Sequence, residues 1–198
     1  MYVTMKKMKF WMMAAILFCG LGCMISCAPN KTVEKNAEKP MVDVQQLVDK
    51  YMVDSIGSQY SQGEVCIPCA IIVACNNEPE VDTVRVLGDF WVFNYNIVGD
   101  TLKCVSGGDH PGLMLFVRDA IGDLKFLSFE QVEDGSGNLA SAKRIFGDMY
   151  MAFQSINSDK ETVEDGRSHF IADYVKKHNL PVKYYQDYGW PAREIPFE

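Results

Sequence analysis

The sequence predicts an α+β domain, in which an N-terminal helix packs on a curved five-stranded antiparallel meander and two C-terminal helices and an aromatic-rich tail follow. Three observations lead to this prediction. Apolar residues recur at helical spacing both before and after a central block of strands. The strands in that block are joined by short turn-forming segments, which favours antiparallel pairing over crossover helices. Residues 89–112 combine a hairpin with a glycine-bounded corner, and the rest of the domain is organised around them.

The chain begins with the features of an export signal. Three lysines at positions 6, 7 and 9 precede an apolar run over residues 10–25, which is short for a helix that spans a bilayer. The run ends in Met24-Ile25-Ser26-Cys27, which resembles the lipobox of bacterial lipoproteins. This resemblance implies cleavage before Cys27 and its modification with diacylglycerol and fatty-acyl chains such as palmitate. Cys23 is a weaker second candidate, and an uncleaved anchor helix is the alternative interpretation.

The predicted organisation has three parts. Residues 1–26 form the lipoprotein signal peptide, residues 27–40 form a polar, flexible tether, and residues 41–198 form a single domain. We therefore expect a protein of the cell envelope that is anchored to the membrane by lipid and faces the periplasm or the cell surface.

The charge balance argues against nucleic acid as a partner. The whole chain has a net charge of −7, and without the three lysines of the export segment it carries 16 basic against 26 acidic residues, a net charge of −10. Binding to phosphate backbones relies on lysine and arginine contacts, and no basic stripe is present. The expected partners are the membrane, through the lipid, and a small-molecule or protein ligand.

The domain opens with a predicted amphipathic helix over residues 42–60, with Asp43 as its N-cap. An apolar, β-branched strand follows over residues 65–75. Pro68 lies within this strand and lacks a donor for the ladder, so it is expected at an edge or a bulge. Four more strands are expected over residues 83–98, 101–106, 113–118 and 124–132.

The central hairpin is predicted from turn chemistry and periodicity together. Gly99-Asp100 suits a two-residue turn with glycine first, which places Ile97 opposite Leu102 and Tyr95 opposite Cys104. Both cross-strand pairs then join an apolar face with Trp91 and Phe93, because side chains alternate with period two. We expect the opening helix to cover this aromatic face.

The C-terminal third is expected to contain two helices and an ordered tail. Apolar residues recur every three or four positions over residues 139–153, and Ser158 with Glu161 matches a capping box that opens the last helix. Residues 180–198 are rich in aromatic residues, which is atypical of a disordered segment, so the tail is expected to lie against the body.

Cys66-Ile67-Pro68-Cys69 matches a C-x-x-C pattern, but its context is a strand. Positions i and i+3 of an extended strand lie on opposite faces and about 10 Å apart, whereas a disulfide needs Cα atoms within about 7 Å. Structural thiols are favoured, with a structural disulfide or thiol redox chemistry at Cys66 and Cys69 as the alternatives. The pairing among Cys66, Cys69, Cys75 and Cys104 is left open.

Ligand contacts are sought at the glycine-bounded corner and on the aromatic face. Asp109 and His110 are polar residues held between glycines, and a histidine beside an aspartate suits a general base where a hydrogen bond joins them. Trp91 and Tyr95 are interpreted first as core, and as pocket walls in the alternative. The tail segment with Trp190 is expected to seal an edge of the sheet, and to close over such a pocket in the alternative. The candidate ligand-binding residues are Trp91, Tyr95, Asp109, His110 and Trp190, and no catalytic residue, cofactor or metal ligand is assigned.

Three segments, Ser106–Gly112, Glu133–Ser136 and Ala142–Gly147, together resemble a family of uncharacterised bacterial lipoprotein domains. In that family a G-G-x-H-x-P loop leads into a strand, and D-G-S precedes a helix that carries K-x-I-F. This chain has G-G-x-H-P-G and D-G-S…I-F-G, and it departs from the family pattern because Pro111 directly follows His110. Such domains are similar to the cystatin-like and nuclear-transport-factor-like roll. The resemblance implies a concave face that holds a ligand or a protein. We expect a non-catalytic binding or scaffolding domain, with a small enzyme or ligand-binding roll that uses His110 and Asp109 as the alternative, and thiol redox as the second alternative.

Overall fold

The computed structural model describes residues 43–78 and 82–197, and over them the chain is an α+β fold, as predicted. The predicted signal peptide, tether and Cys27 lie outside the described residues. None of the helices in the described part is long and apolar enough to cross a membrane. The strands of the mixed sheet are β1 (Val65–Asn76), β2 (Thr83–Val98), β3 (Thr101–Asp109), β4 (Gly112–Arg118), β5 (Leu124–Gln131), β6 (Tyr184–Gln186) and β7 (Arg193–Glu194). The α-helices are α1 (Val44–Tyr51), α2 (Asn138–Phe146), α3 (Tyr150–Ser158) and α4 (Lys160–His178).

The long strand β2 is the centre of the sheet. β1 pairs with one edge of β2, while the other edge pairs with β4 along its first half and with β3 along its second half, all antiparallel. β5 pairs with β4, and the short β6 pairs in parallel with β3 and is followed by β7. The five predicted strands are present, but the predicted meander is wrong, because β3 and β4 follow one another along the same edge of β2.

The glycine-bounded segment is therefore not the tight corner that the sequence predicted. Only His110 and Pro111 separate β3 from β4, and the backbone nitrogen of His110 donates to the carbonyl of Phe90 at 2.9 Å, so pairing with β2 continues across the break. Close approach, rather than a turn, explains a glycine here: a Cβ on Gly108 would lie 2.2 Å from the hydroxyl oxygen of Tyr60.

The predicted hairpin register is confirmed. Ile97 pairs with Leu102 and Tyr95 pairs with Cys104. Gly99 has a φ of 64°, a conformation that glycine adopts without a steric penalty. The turn chemistry and the period-two pattern act over a few residues, and this is why both pointed to the correct pairing.

The two faces of the sheet are covered by different helices. α1 and the turn after it pack on the face that carries Phe90, through Val48 and its neighbours. The opposite face carries Phe93 and Tyr95, and α4 covers it through Ile171 and its neighbours. The prediction that the opening helix covers the aromatic face is therefore wrong; the last helix does so. α2 and α3 form a third apolar cluster with the sheet.

The C-terminal helices differ in detail from the prediction. The helix expected over residues 139–153 is divided into α2 and α3 near Gly147, which has a φ of 50°. α4 is capped by Asp159 rather than Ser158, since the carboxylate of Asp159 accepts from the backbone nitrogens of Glu161 and Thr162. The tail lies against the body, as predicted, because β6 extends the sheet beside β3.

Candidate functional site

A cavity of about 810 Å³ lies among β2, β3, the first turns of α4 and the tail. Its volume is in the range of small-molecule sites in proteins. Apolar and charged side chains alternate around its wall, so the cavity offers both a hydrophobic body and a few polar contacts. The lining residues are Trp91, Asp109, Asn157, Lys160, Val163, Glu164, Tyr185, Asp187, Trp190, Pro191 and Arg193.

The structure brings three of the five sequence-predicted candidates to this cavity and places two elsewhere. Trp91, Asp109 and Trp190 line it. Tyr95 lies in the core beside it, with none of its side chain exposed. His110 does not line the cavity, and its imidazole contacts residues on the other face of the sheet.

Trp91 and Asp109 form the floor together. They are direct partners in the β2–β3 ladder, so their side chains emerge on one face about 5 Å apart at Cβ. The indole Nε1 of Trp91 is buried without a hydrogen-bond partner in the described structure. Trp91 also stacks on Phe93, with ring centroids 5.8 Å apart, which holds the indole in place.

Asp109 lies against a second carboxyl group, that of the fully buried Asp89. The amide nitrogen of Asn157, near the end of α3, donates to Oδ2 of Asp89 at 3.3 Å and to Oδ2 of Asp109 at 3.4 Å. Burial, followed by the hydrogen bond and the charge of Asp89, raises the pKa of Asp109 to about 9. Two carboxyl groups can hydrogen-bond to each other only when one carries a proton. Asp109 is therefore protonated at neutral pH.

Behind the cavity lies Arg167, which sequence reasoning missed. Its guanidinium is 8% exposed and makes a two-pronged ion pair with Asp187, with both N–O distances 2.7 Å. It also donates to the hydroxyl of Tyr95 at 2.6 Å and lies 3.8 Å above the ring of Phe93. Burial alone would lower the pKa of Arg167, but the hydrogen bonds to Asp187 and Tyr95 outweigh it and raise the pKa.

This ion pair ties the tail to the body. The hydrogen bond from Arg167 holds the pKa of Asp187 below its usual value, so Asp187 is ionised at neutral pH. The sequence carried a signal for Arg167: it stands four residues after Val163 and four before Ile171, on the apolar face of the predicted helix. An arginine on such a face, unable to reach water, requires a carboxylate partner.

The rim of the cavity is charged and aromatic. The hydroxyl of Tyr185 donates to Glu164 at 2.7 Å, and Arg193 lies 3.8 Å from the same carboxylate. Trp190 is 70% exposed. Its position is set by a short turn, since its carbonyl accepts from the side chain of Gln186 at 2.8 Å.

His110 belongs to the opposite face of the sheet. Its Nε2 lies 2.9 Å from the hydroxyl of Tyr60, and its Nδ1 lies 3.1 Å from the side-chain oxygen of Gln131. Successive residues of an extended chain point to opposite faces, so Asp109 and His110 diverge. They do not form the acid–base couple that the sequence left open.

The cysteines do not form a redox pair in this fold. Cys66, Cys69, Cys75 and Cys104 are all free thiols. Cys66 packs with the α1 cluster and Cys69 with the α4 cluster, which places them on opposite faces, as predicted. Burial raises the pKa of the Cys69 thiol well above its ordinary value, so it is not a nucleophile at neutral pH. Among the described residues, no group of three histidine, cysteine or carboxylate side chains is arranged to hold a metal ion.

Comparisons with protein-family models, with curated proteins and with solved structures find no match to this chain. A function must therefore be argued from the cavity. Its aromatic floor and rim, the protonated carboxyl group of Asp109 and its fixed tail suit the binding of a small organic molecule.

Proposed function

We propose that this chain is a membrane-tethered bacterial lipoprotein whose domain binds a small organic molecule without transforming it. The observation that carries the proposal is the pair of tryptophans on the cavity, Trp91 in the floor and Trp190 at the rim. Large aromatic side chains supply most of the contact area in ligand sites and lose little conformational entropy on binding.

The wall of the cavity is pre-organised by contacts within the protein. Arg167 fixes the tail through Asp187 and braces the floor through Phe93. Asn157 ties the end of α3 to the carboxyl pair. A pre-formed site avoids the free-energy penalty of ordering loops on binding. The exposure of Trp190 leaves an indole face available for contact.

The proposal includes an anchor and a fold relationship. Lipidation of Cys27 would hold the domain near the membrane on the tether of residues 27–40. The domain would be a variant of the cystatin-like or nuclear-transport-factor-like roll, with α1 as the helix that the sheet cradles. Two features support this relationship: the first five strands pair with one another only in antiparallel fashion, and α1 packs on the Phe90 face. Intact mass measurement of the membrane-extracted protein tests the anchor: an unmodified Cys27 or a retained signal peptide contradicts it.

Intrinsic fluorescence tests the binding function directly. The chain has three tryptophans, and the two outside the predicted signal peptide both line the cavity. A panel of small organic compounds is titrated while tryptophan emission is recorded. Compounds that bind in the cavity should shift the emission, and Trp190→Ala should weaken their binding about tenfold, which corresponds to about 1.4 kcal/mol.

Tyr188→Ala is the matched control, because Tyr188 is 96% exposed in the same turn and does not line the cavity. A small-molecule ligand should be insensitive to this change. A protein partner, the second candidate, would use both exposed aromatics and lose affinity in both variants. Binding that is unaffected by Trp190→Ala contradicts the assignment of this cavity.

A further inference from the structure

The carboxylates around the cavity are already engaged with protein groups. Asp187 receives both prongs of Arg167, and Glu164 accepts from the hydroxyl of Tyr185. Asp109 is protonated at neutral pH and accepts from Asn157. A cationic ligand would have to compete with each of these partners.

The donors around the cavity are less engaged. The side chain of Lys160, the first residue of α4, makes no hydrogen bond or ion pair within the described part of the chain. Arg193 makes one long ion pair within the described part of the chain, with Glu164 at 3.8 Å, and its side chain is 61% exposed. The indole nitrogen of Trp91 has no acceptor in the described structure. Among the buried atoms, the indole nitrogen of Trp91 is thus a donor without a partner and Oδ1 of Asp109 is an acceptor without one. The exposed groups with hydrogen-bonding capacity to spare are the two positively charged donors, Lys160 and Arg193.

The cavity also has an apolar part of its wall. Trp91, Val163, Trp190 and Pro191 line the same cavity as Lys160 and Arg193. Because the pKa of Asp109 is raised, its carboxyl group is uncharged at neutral pH, which lowers the repulsion that an anion would meet at the floor. The cavity combines an aromatic slot with two cationic side chains, Lys160 and Arg193.

We infer that the occupant is a small organic anion with a flat apolar body, such as an aromatic carboxylate. This inference rests on the proposed function, since it names the class of molecule that the same cavity binds. The apolar body lies against Trp91 and Trp190, and the anionic group is held by Lys160 and Arg193.

Two related dyes test the inference. 8-Anilino-1-naphthalenesulfonate has an aromatic body and one negative charge, whereas N-phenyl-1-naphthylamine has nearly the same body without charge. The variants are the double substitution Lys160→Gln/Arg193→Gln, Trp190→Ala, and Lys103→Gln as a control at an exposed lysine of β3 that does not line the cavity. All the substituted side chains are exposed, so folding should be retained. Dissociation constants are measured from dye emission at 50 mM and 500 mM NaCl.

The expected result is that the anionic dye binds the wild-type protein more tightly and loses about tenfold in affinity in the double glutamine variant. The neutral dye should keep its affinity in that variant, and Lys103→Gln should change neither dye. High salt should weaken only the anionic dye.

Two outcomes overturn the inference in different ways. If both dyes bind equally, depend on Trp190 and ignore the glutamine substitutions, the small-molecule cavity stands and the anion is wrong. If neither dye binds in a way that depends on Trp190, both the anion and the proposed cavity function are wrong.

Discussion

The raised pKa of Asp109 predicts how the free energy of unfolding depends on pH. Asp109→Asn replaces a protonated carboxyl group by an amide of the same shape, which still donates to Asp89. In the wild-type protein the pKa of Asp109 is about 9 when folded, against 3.8 as the ordinary value. Between these values the folded state binds one more proton than the unfolded state, so the contribution of this group to stability falls as pH rises.

The magnitude follows from linkage. One extra bound proton lowers the free energy of unfolding by about 1.4 kcal/mol for each pH unit. From pH 7.0 to pH 8.5 the wild-type protein should therefore lose about 2 kcal/mol more than Asp109→Asn does. Tyr60, His110 and Asp89 lie near Asp109 and are present in both proteins.

Urea unfolding at pH 7.0, 7.75 and 8.5, followed by tryptophan emission, measures this difference. Asp49→Asn is the control, because burial raises the pKa of Asp49 only to about 6. Asp49 is thus ionised in both states above pH 7, and its variant should run parallel to the wild-type protein in this window. If the free energy of unfolding changes with pH equally in Asp109→Asn and the wild-type protein, the raised pKa of Asp109 is wrong.

Three further predictions concern the ion pair behind the cavity, a close contact on the opposite face of the sheet and the burial of the cysteines. Arg167→Ala should lower the free energy of unfolding by about 3–5 kcal/mol in urea, because it leaves a partly buried carboxylate and a buried hydroxyl without their partner; a loss below 1 kcal/mol would show that the ion pair is not structural. Gly108→Ala should destabilise the domain, because the added methyl meets the hydroxyl oxygen of Tyr60, and calorimetry should show that Tyr60→Phe restores part of the lost melting temperature; no restoration would place the clash elsewhere. With a thiol reagent under native conditions, the exposed Cys75 should react within minutes and the buried Cys69 only on unfolding, and rapid labelling of Cys69 would contradict its burial.

Local features of the fold were predictable from the sequence. The hairpin register at Gly99 depends on a two-residue turn and on alternation over six residues, and both are written in adjacent positions. The edge position of Pro68 was also predictable, because a missing donor excludes a central strand. β1 indeed pairs with β2 alone.

The face on which a strand residue lies was not predictable beyond a bulge, because one extra residue in a strand reverses the faces of all the residues after it. Cys69 and Cys75 are six residues apart, which would place them on one face of a regular strand. A bulge between Ile72 and Ala74 shifts the register, so Cys69 lies opposite Trp91 while Cys75 lies opposite Val86, on the other face.

For the candidate site, residue types at the floor and rim were predictable but their partners were not. Asp109 and Trp190 stood out because polar and aromatic groups beside glycines and prolines are uncommon in a plain core. Trp91 stood out as part of the aromatic face of the central hairpin. Asp89 was read only as part of a strand, since its carboxyl group matters solely through a residue twenty positions away. Arg167 acquires its role from a tail carboxylate twenty residues later.

The sequence by itself determined the five main strands, the first and last helices, where the central hairpin turns and which side chains of that hairpin alternate toward each face, because these depend on near neighbours and on the geometry of one chain segment. Only the tertiary structure decided that α4 rather than α1 covers the aromatic face and that β3 and β4 share one edge of β2. It also decided that the carboxyl groups of Asp89 and Asp109 lie together beside Asn157. Contacts between segments far apart in sequence depend on how all surfaces bury together, and no local pattern contains that information.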